Sequence, residues 1–135
     1  VCTTDSLKGN SSGVVKFGKD FLLSKCFTGS LSGYQEYRIT HLTARYLSSA
    51  SATDRGSFYY HLDSSCIKPA SDTPTTFAWP LTKGAVAQFP TDLTATKNWW
   101  NNDENQFSFM YKGDGDNVTV GRFKFEFDVQ WTGIL

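Results

Sequence analysis

From Val120 to Trp131 the chain alternates with a period of two. Gly121, Phe123, Phe125, Phe127, Val129 and Trp131 fall on one face, and Val120, Arg122, Lys124, Glu126, Asp128 and Gln130 on the other. Successive side chains of a strand point to opposite sides of the sheet, so this segment predicts a strand with one apolar and one polar face. Strands of that kind belong to antiparallel sheets packed on a core through one face, because parallel sheets are covered on both. An all-β sandwich is the predicted frame.

Other runs fit it. Val14, Val15 and Phe17 lie between Gly13 and Gly18, and Gln106 to Tyr111 places Phe107, Phe109 and Tyr111 on one face. Ser57 to Asp63 sets Phe58, Tyr60 and Leu62 against Tyr59, His61 and Asp63. Glu36 to Leu47 reads as a mixed strand in which Tyr37, Ile39, Thr43 and Leu47 alternate with Arg38, Thr40 and Ala44 until Arg45 breaks the pattern. The Ser/Ala/Asp/Gly-rich stretch after it predicts a hairpin joining that strand to Ser57–Asp63. A short helix is predicted over Asp20 to Leu31 with Asp20 as N-cap. Ser71 or Asp72 is the expected cap of a second helix. Short strands between turn signals, at this length, predict a sandwich or jelly roll.

Composition narrows the function. The chain holds 11 Phe, 6 Tyr and 4 Trp, ample for a β core, and its 13 basic residues balance 13 acidic ones. A free-standing nucleic-acid binder carries a basic excess, so either this domain does not bind nucleic acid or its basic segment lies outside this chain. Cys2, Cys26 and Cys66 are too few and too irregular for a disulfide scaffold and read as reduced thiols. No apolar run approaches a membrane span, and the polar Val1 to Asn10 predicts no signal peptide. The triplets Asn10-Ser11-Ser12 and Asn117-Val118-Thr119 match the glycosylation pattern, but without a signal peptide they predict no glycan.

Catalytic apparatus is hard to find. On the predicted hairpin His41 and His61 would face each other near Asp63 and Cys66, but no nucleophile motif accompanies them. Asp114 and Asp116 offer the hard oxygens Ca²⁺ favours, without the alternating ligand loop or the distal Glu; the run Gly113 to Asn117 reads better as a hairpin turn. Cys and His lack zinc spacing. No metal, cofactor or enzymatic activity is predicted. Trp99 and Trp100 stand beside Asn101, Asn102, Asp103 and Glu104. Adjacent strand residues face opposite ways, so one Trp is expected in the core and the other at a contact surface or sugar platform.

Ordered strings along the chain carry a resemblance. Asp5 to Gly13 ending in Lys16-Phe17-Gly18, Gly33 to Thr40, Ser49 to Thr53, Gly56, His61-Leu62-Asp63 with Cys66, Leu81 to Gly84, and Asn105 to Gly115 resemble, in order and spacing, the shell domain of luteovirus and polerovirus coat proteins. The turn Ala52 to Gly56 looks closer to the enamovirus branch. The resemblance implies a single domain over residues 1–135 with an antiparallel eight-stranded jelly-roll sandwich and short crossover helices. It implies self-assembly into a quasi-equivalent (T=3) icosahedral shell around single-stranded RNA, bound mainly by an arginine-rich arm that this chain does not contain. Other implied partners are a readthrough form of the coat protein and aphid vector receptors. The implied location is the virion, with host cytoplasm and nucleus during infection. Glu36, Trp99 and Glu104 match positions of a contact patch used in aphid transmission, and Trp100 and Asp103 adjoin it. Asn105 stands where many relatives have an acid, Trp100 where some have His, and Lys19 where a proline is common.

The expectation is therefore a capsid subunit with a subunit or vector contact surface at Glu36, Trp99, Trp100, Asp103 and Glu104. The alternative is a stand-alone jelly-roll carbohydrate-binding module using Trp99 or Trp100. A hydrolase built on His41, His61 and Asp63 is the remote third reading.

Overall fold

The structure is a computed structural model that describes residues 2–51, 53–63, 69–75, 77–90 and 99–135. Ten strands appear among them: β1 (Cys2–Thr3), β2 (Leu7–Lys8), β3 (Ser12–Gly18), β4 (Tyr34–Ser48), β5 (Ser57–Asp63), β6 (Ala78–Pro80), β7 (Ala85–Pro90), β8 (Trp100–Asn101), β9 (Asn105–Gly113) and β10 (Thr119–Ile134). One helix, α1 (Lys25–Leu31), and a 3₁₀ turn at Ala70–Asp72 complete the set.

All pairings are antiparallel, in two sheets. One runs β1-β10-β4-β7, with β2 also on β10 and β8 also on β4; the other runs β3-β9-β5-β6. Eight strands were expected and ten are found, because two edge positions are each broken in two. β2 continues β1 along one flank of β10, and β8 continues β7 along the far flank of β4. The eight ladder positions are those of a jelly roll.

The core is aromatic, and β10 runs through its centre. Phe123 and Phe125 are fully buried and Phe127 packs beside them. Phe125 meets Phe17 and Phe109 of the facing sheet edge-on at 5.5 and 5.1 Å, the geometry that ring quadrupoles prefer. At one end Phe123 packs with Phe58, Trp79 and Tyr111. At the other, Phe127 packs with Phe21 and Phe27. The alternation of β10 thus appears as read, with one exception. A register shift between Thr119 and Gly121 turns Val120 inward together with Gly121.

Several expectations are corrected. First, β4 and β5 form no hairpin: β4 pairs with β10, β7 and β8, whereas β5 pairs with β9 and β6, so the connection crosses from one sheet to the other. The Gly113–Asn117 turn crosses the same way, from β9 to β10. Second, β4 faces the core through Tyr37 and Ile39 and then through Leu42, Ala44 and Tyr46. Asp128 pairs with His41 but Val129 with Ile39, so Thr40 is an extra residue and the parity changes there. Thr43 therefore does not enter the core, and Leu47 is exposed. Third, α1 starts after Ser24, not Asp20. The Ser24 hydroxyl accepts from Phe27 N at 3.3 Å, while Asp20 bonds Asn105 and Phe21 is a core residue of the preceding loop. Likewise Ser71 and Asp72 lie inside the 3₁₀ turn, which follows Pro69.

The 3₁₀ turn packs on β3 and β9 from outside. It explains why Ser108 and Met110, on the non-core face of β9, are fully buried. Elsewhere the β2–β3 and β9–β10 connections meet backbone to backbone. Gly115 N donates to Gly9 O at 2.9 Å, and a Cβ on Gly113 would stand 2.2 Å from that oxygen. Only glycine fits at Gly113.

Candidate contact surface

Four of the five predicted surface residues come together around the start of β4. Glu36 pairs with Asn101, and Tyr37 with Trp100, which brings the 99–104 loop alongside the strand. The loop is closed on itself: Asn101 N donates to Glu104 Oε1 at 2.7 Å, and Glu104 N to Asn101 O at 3.2 Å. It is also tied to the neighbouring elements. The Asn102 amide donates to Tyr34 O at 2.8 Å and to Leu31 O, near the end of α1, at 3.2 Å. The Tyr37 hydroxyl donates to Glu104 O at 2.8 Å. This is a rigid presentation, with Asp103 exposed at its tip and Glu36 and Glu104 half-buried.

The two tryptophans divide as expected of adjacent strand residues. Trp100 is 8% exposed and belongs to the core, so its inclusion in the contact surface is corrected: the strand alternation turns it inward. Trp99 is half-buried on the outside, and the Arg38 guanidinium lies over its ring, 4.6 Å from the centroid. Arg38 is itself held by Gln130, whose Oε1 accepts from Nε at 3.0 Å and from the second guanidinium nitrogen Nη2. Cation–π stacking of this kind fixes both side chains. It also covers a ring face that a sugar would need, which argues against the carbohydrate platform. Sequence reasoning missed Arg38. The signal was available: two positions from Glu36 on one strand, it had to share that face.

The other candidate groups do not assemble. His41 is exposed on β4 and His61 lies on β5 in the other sheet, so they do not face each other; Cys66 falls outside the described residues. Asp63 is buried. The Asp114 carboxylate is engaged by protein donors, with Oδ1 accepting from Ser57 N at 2.6 Å and Oδ2 from the Tyr59 hydroxyl at 3.0 Å. That bond and the carboxylate charge hold the Tyr59 pKa above its ordinary value. Among the described residues, no group of three His, Cys, Asp or Glu side chains converges on a metal position. No helix among them is long and apolar enough to cross a membrane.

Comparison with known proteins agrees with this architecture. Residues 1–133 match the family model described as luteovirus coat protein. The chain is 35% identical over 122 residues to the major capsid protein of Pea enation mosaic virus-1, covering 90% of this chain and 64% of that protein. It is 38% identical over 131 residues to the major capsid protein of Cereal yellow dwarf virus, covering 96% and 64%. The chain thus spans just under two thirds of these relatives. Among solved structures it resembles Melon necrotic spot virus (TM-score 0.75, 15% identity, covering 99% of this chain and 48% of that one). It also resembles a T=1 subviral particle of Penaeus vannamei nodavirus capsid protein (TM-score 0.72, 10% identity, covering 100% and 99%). At such identities the likeness is one of fold. None of these relatives supports the carbohydrate-binding alternative.

Proposed function

Because the chain belongs to the luteovirus coat protein family, we propose that it is the shell-forming domain of a plant-virus capsid protein, whose copies assemble into a T=3 icosahedral particle around single-stranded RNA. The observation that carries this is the match of nearly the whole chain to the coat-protein model, on a two-sheet jelly roll shared with virus particles. The role is structural. A closed shell multiplies modest subunit contacts into a stable particle. Zero net charge supports assigning most RNA affinity to an arginine-rich arm outside this chain, since phosphate contacts dominate nucleic-acid binding.

The same domain would serve in a readthrough form: the chain is 35% identical to part of the minor capsid protein P3-RTD of Pea enation mosaic virus-1, covering 24% of it. Its location would be the virion, reached through host cytoplasm and nucleus. The surface of Glu36, Trp99, Asp103 and Glu104, braced by Arg38, is the proposed subunit or aphid-vector contact. Its combination of an aromatic anchor, a fixed guanidinium and acids suits protein recognition. Expression of the full-length coat protein with RNA, viewed by electron microscopy, tests the main reading. Uniform icosahedral particles are expected; soluble monomers under every assembly condition would overturn it.

A further inference from the structure

Leu22 is 92% exposed, although Phe21 beside it is a core residue and Leu23 packs against the core. A lone exposed leucine is ordinary, but this one borders a cleft of about 420 Å³ lined by Val14, Val15, Lys16, Asp20, Leu22 and Leu23. The cleft runs along β3, an edge strand of its sheet among the described residues. Lys16 and Asp20 are exposed, and neither takes an ion pair among the described residues. Asp20 is nevertheless held in place: its Oδ2 accepts from the Asn105 amide at 2.9 Å, and its backbone N donates to Asn105 Oδ1 at 3.1 Å.

One patch therefore carries an apolar projection, an apolar depression, a cation and a fixed anion. A contact across a two-fold axis uses the same surface twice, so that surface must complement itself. This one does. We propose that this face docks a second copy of the chain across a two-fold axis, with Leu22 of each copy entering the cleft of the other and Lys16 of each facing Asp20 of the other. The inference rests on the self-assembly reading and names one of its contacts. The cleft is small, so the pair would be weak in isolation and would count through repetition around a shell.

The test uses full-length coat protein assembled with RNA, scored by sedimentation and electron microscopy, with the melting temperature of the unassembled protein as control. Leu22→Glu should leave melting unchanged, because the side chain is solvated in the lone subunit, and should weaken each contact about tenfold, or about 1.4 kcal/mol, which repetition around the shell turns into a near-complete loss of particles. Lys16→Asp and Asp20→Lys should each impair assembly. The double variant should restore it, because a two-fold axis again sets each charge against its opposite. Assembly of Leu22→Glu at the wild-type level would overturn this contact while leaving the capsid reading intact. A double variant as defective as the singles would overturn the two-fold arrangement. Failure of the wild-type protein to form particles would count against the capsid reading itself.

Discussion

The side-chain amide of Gln106 hydrogen-bonds both backbone groups of Ile39 across the sandwich. Its Oε1 accepts from Ile39 N at 2.7 Å and its Nε2 donates to Ile39 O at 3.0 Å. Gln106 is itself an extra residue, since Phe17 pairs with Phe107 but Gly18 with Asn105, and the bulge turns it inward beside Phe107. Ile39 adjoins the bulge in β4, between the stretches that pair with β8 and β7. One irregularity is thus satisfied by another on the opposite sheet.

Gln106→Leu removes two buried hydrogen bonds to Ile39 and should cost about 1–3 kcal/mol, at roughly 0.5–1.5 kcal/mol each. Denaturant melts would measure it. A loss under 1 kcal/mol would mean that water or another donor replaces the amide.

Phe125→Ala should cost about 3–5 kcal/mol as a large-to-small change at a fully buried ring. Lys124→Ala, one residue away on the outer face, removes only a half-exposed 3.6 Å contact with Glu126 and should cost below about 1 kcal/mol. Equal effects in parallel denaturant melts would overturn the assigned faces of β10.

Alkaline stability should depend on Tyr111, whose pKa is raised by burial. Below about pH 10 the phenol is protonated in both folded and unfolded chains, and its contribution is complete. Above that, the unfolded chain ionises first, so stability falls as pH rises towards the folded value. Tyr111→Phe keeps the ring against Phe123 at 5.0 Å and should flatten the decline. Tyr46 is also raised by burial, but its hydroxyl donates to Leu81 O and Val120 O. Tyr46→Phe should therefore destabilise at neutral pH as well. Melting temperatures across pH 8–11 would separate the two.

Glu104→Ala removes the carboxylate that accepts from Asn101 N and should cost about 1 kcal/mol for that bond, while impairing particle assembly or vector uptake. Arg38→Ala should act similarly by releasing Trp99. Trp99→Ala is harsher, since that ring also packs on its own domain. If melting, particle yield and transmission were all unchanged in Glu104→Ala, that residue would not belong to the contact surface.

The 135-residue domain should bind generic single-stranded RNA weakly at physiological salt, given its zero net charge. Filter binding checks this. Submicromolar affinity with a steep salt slope would move the RNA site from the arm to the domain.

What the sequence disclosed follows from how regular each segment is. β10 was legible because its alternation runs almost unbroken through Phe123, Phe125 and Phe127. β4 was not, because the extra residue at Thr40 reverses the parity halfway along, and alternation alone carries no mark of a bulge. Sheet partnership was equally hidden: the turn after β4 has hairpin chemistry, yet Phe58 must enter the opposite sheet to meet Phe123 at 5.2 Å. At the contact surface the sequence indicated Trp99, Glu36 and Glu104 and one buried Trp. The pairing of β8 with β4, a non-local event, brought them together and added Arg38.

β1 and β2 find their sheet partner in β10, and Cys2 sits opposite Phe125. On a ribosome moving at about 5–20 residues per second, roughly 6–25 s separate the appearance of those two positions. Throughout that interval the first strands have no ladder to join and the core lacks its middle rings. A nascent chain therefore cannot complete its core until Phe123, Phe125 and Phe127 emerge. A product truncated before β10 would lack the strand that β1, β2 and β4 all pair with.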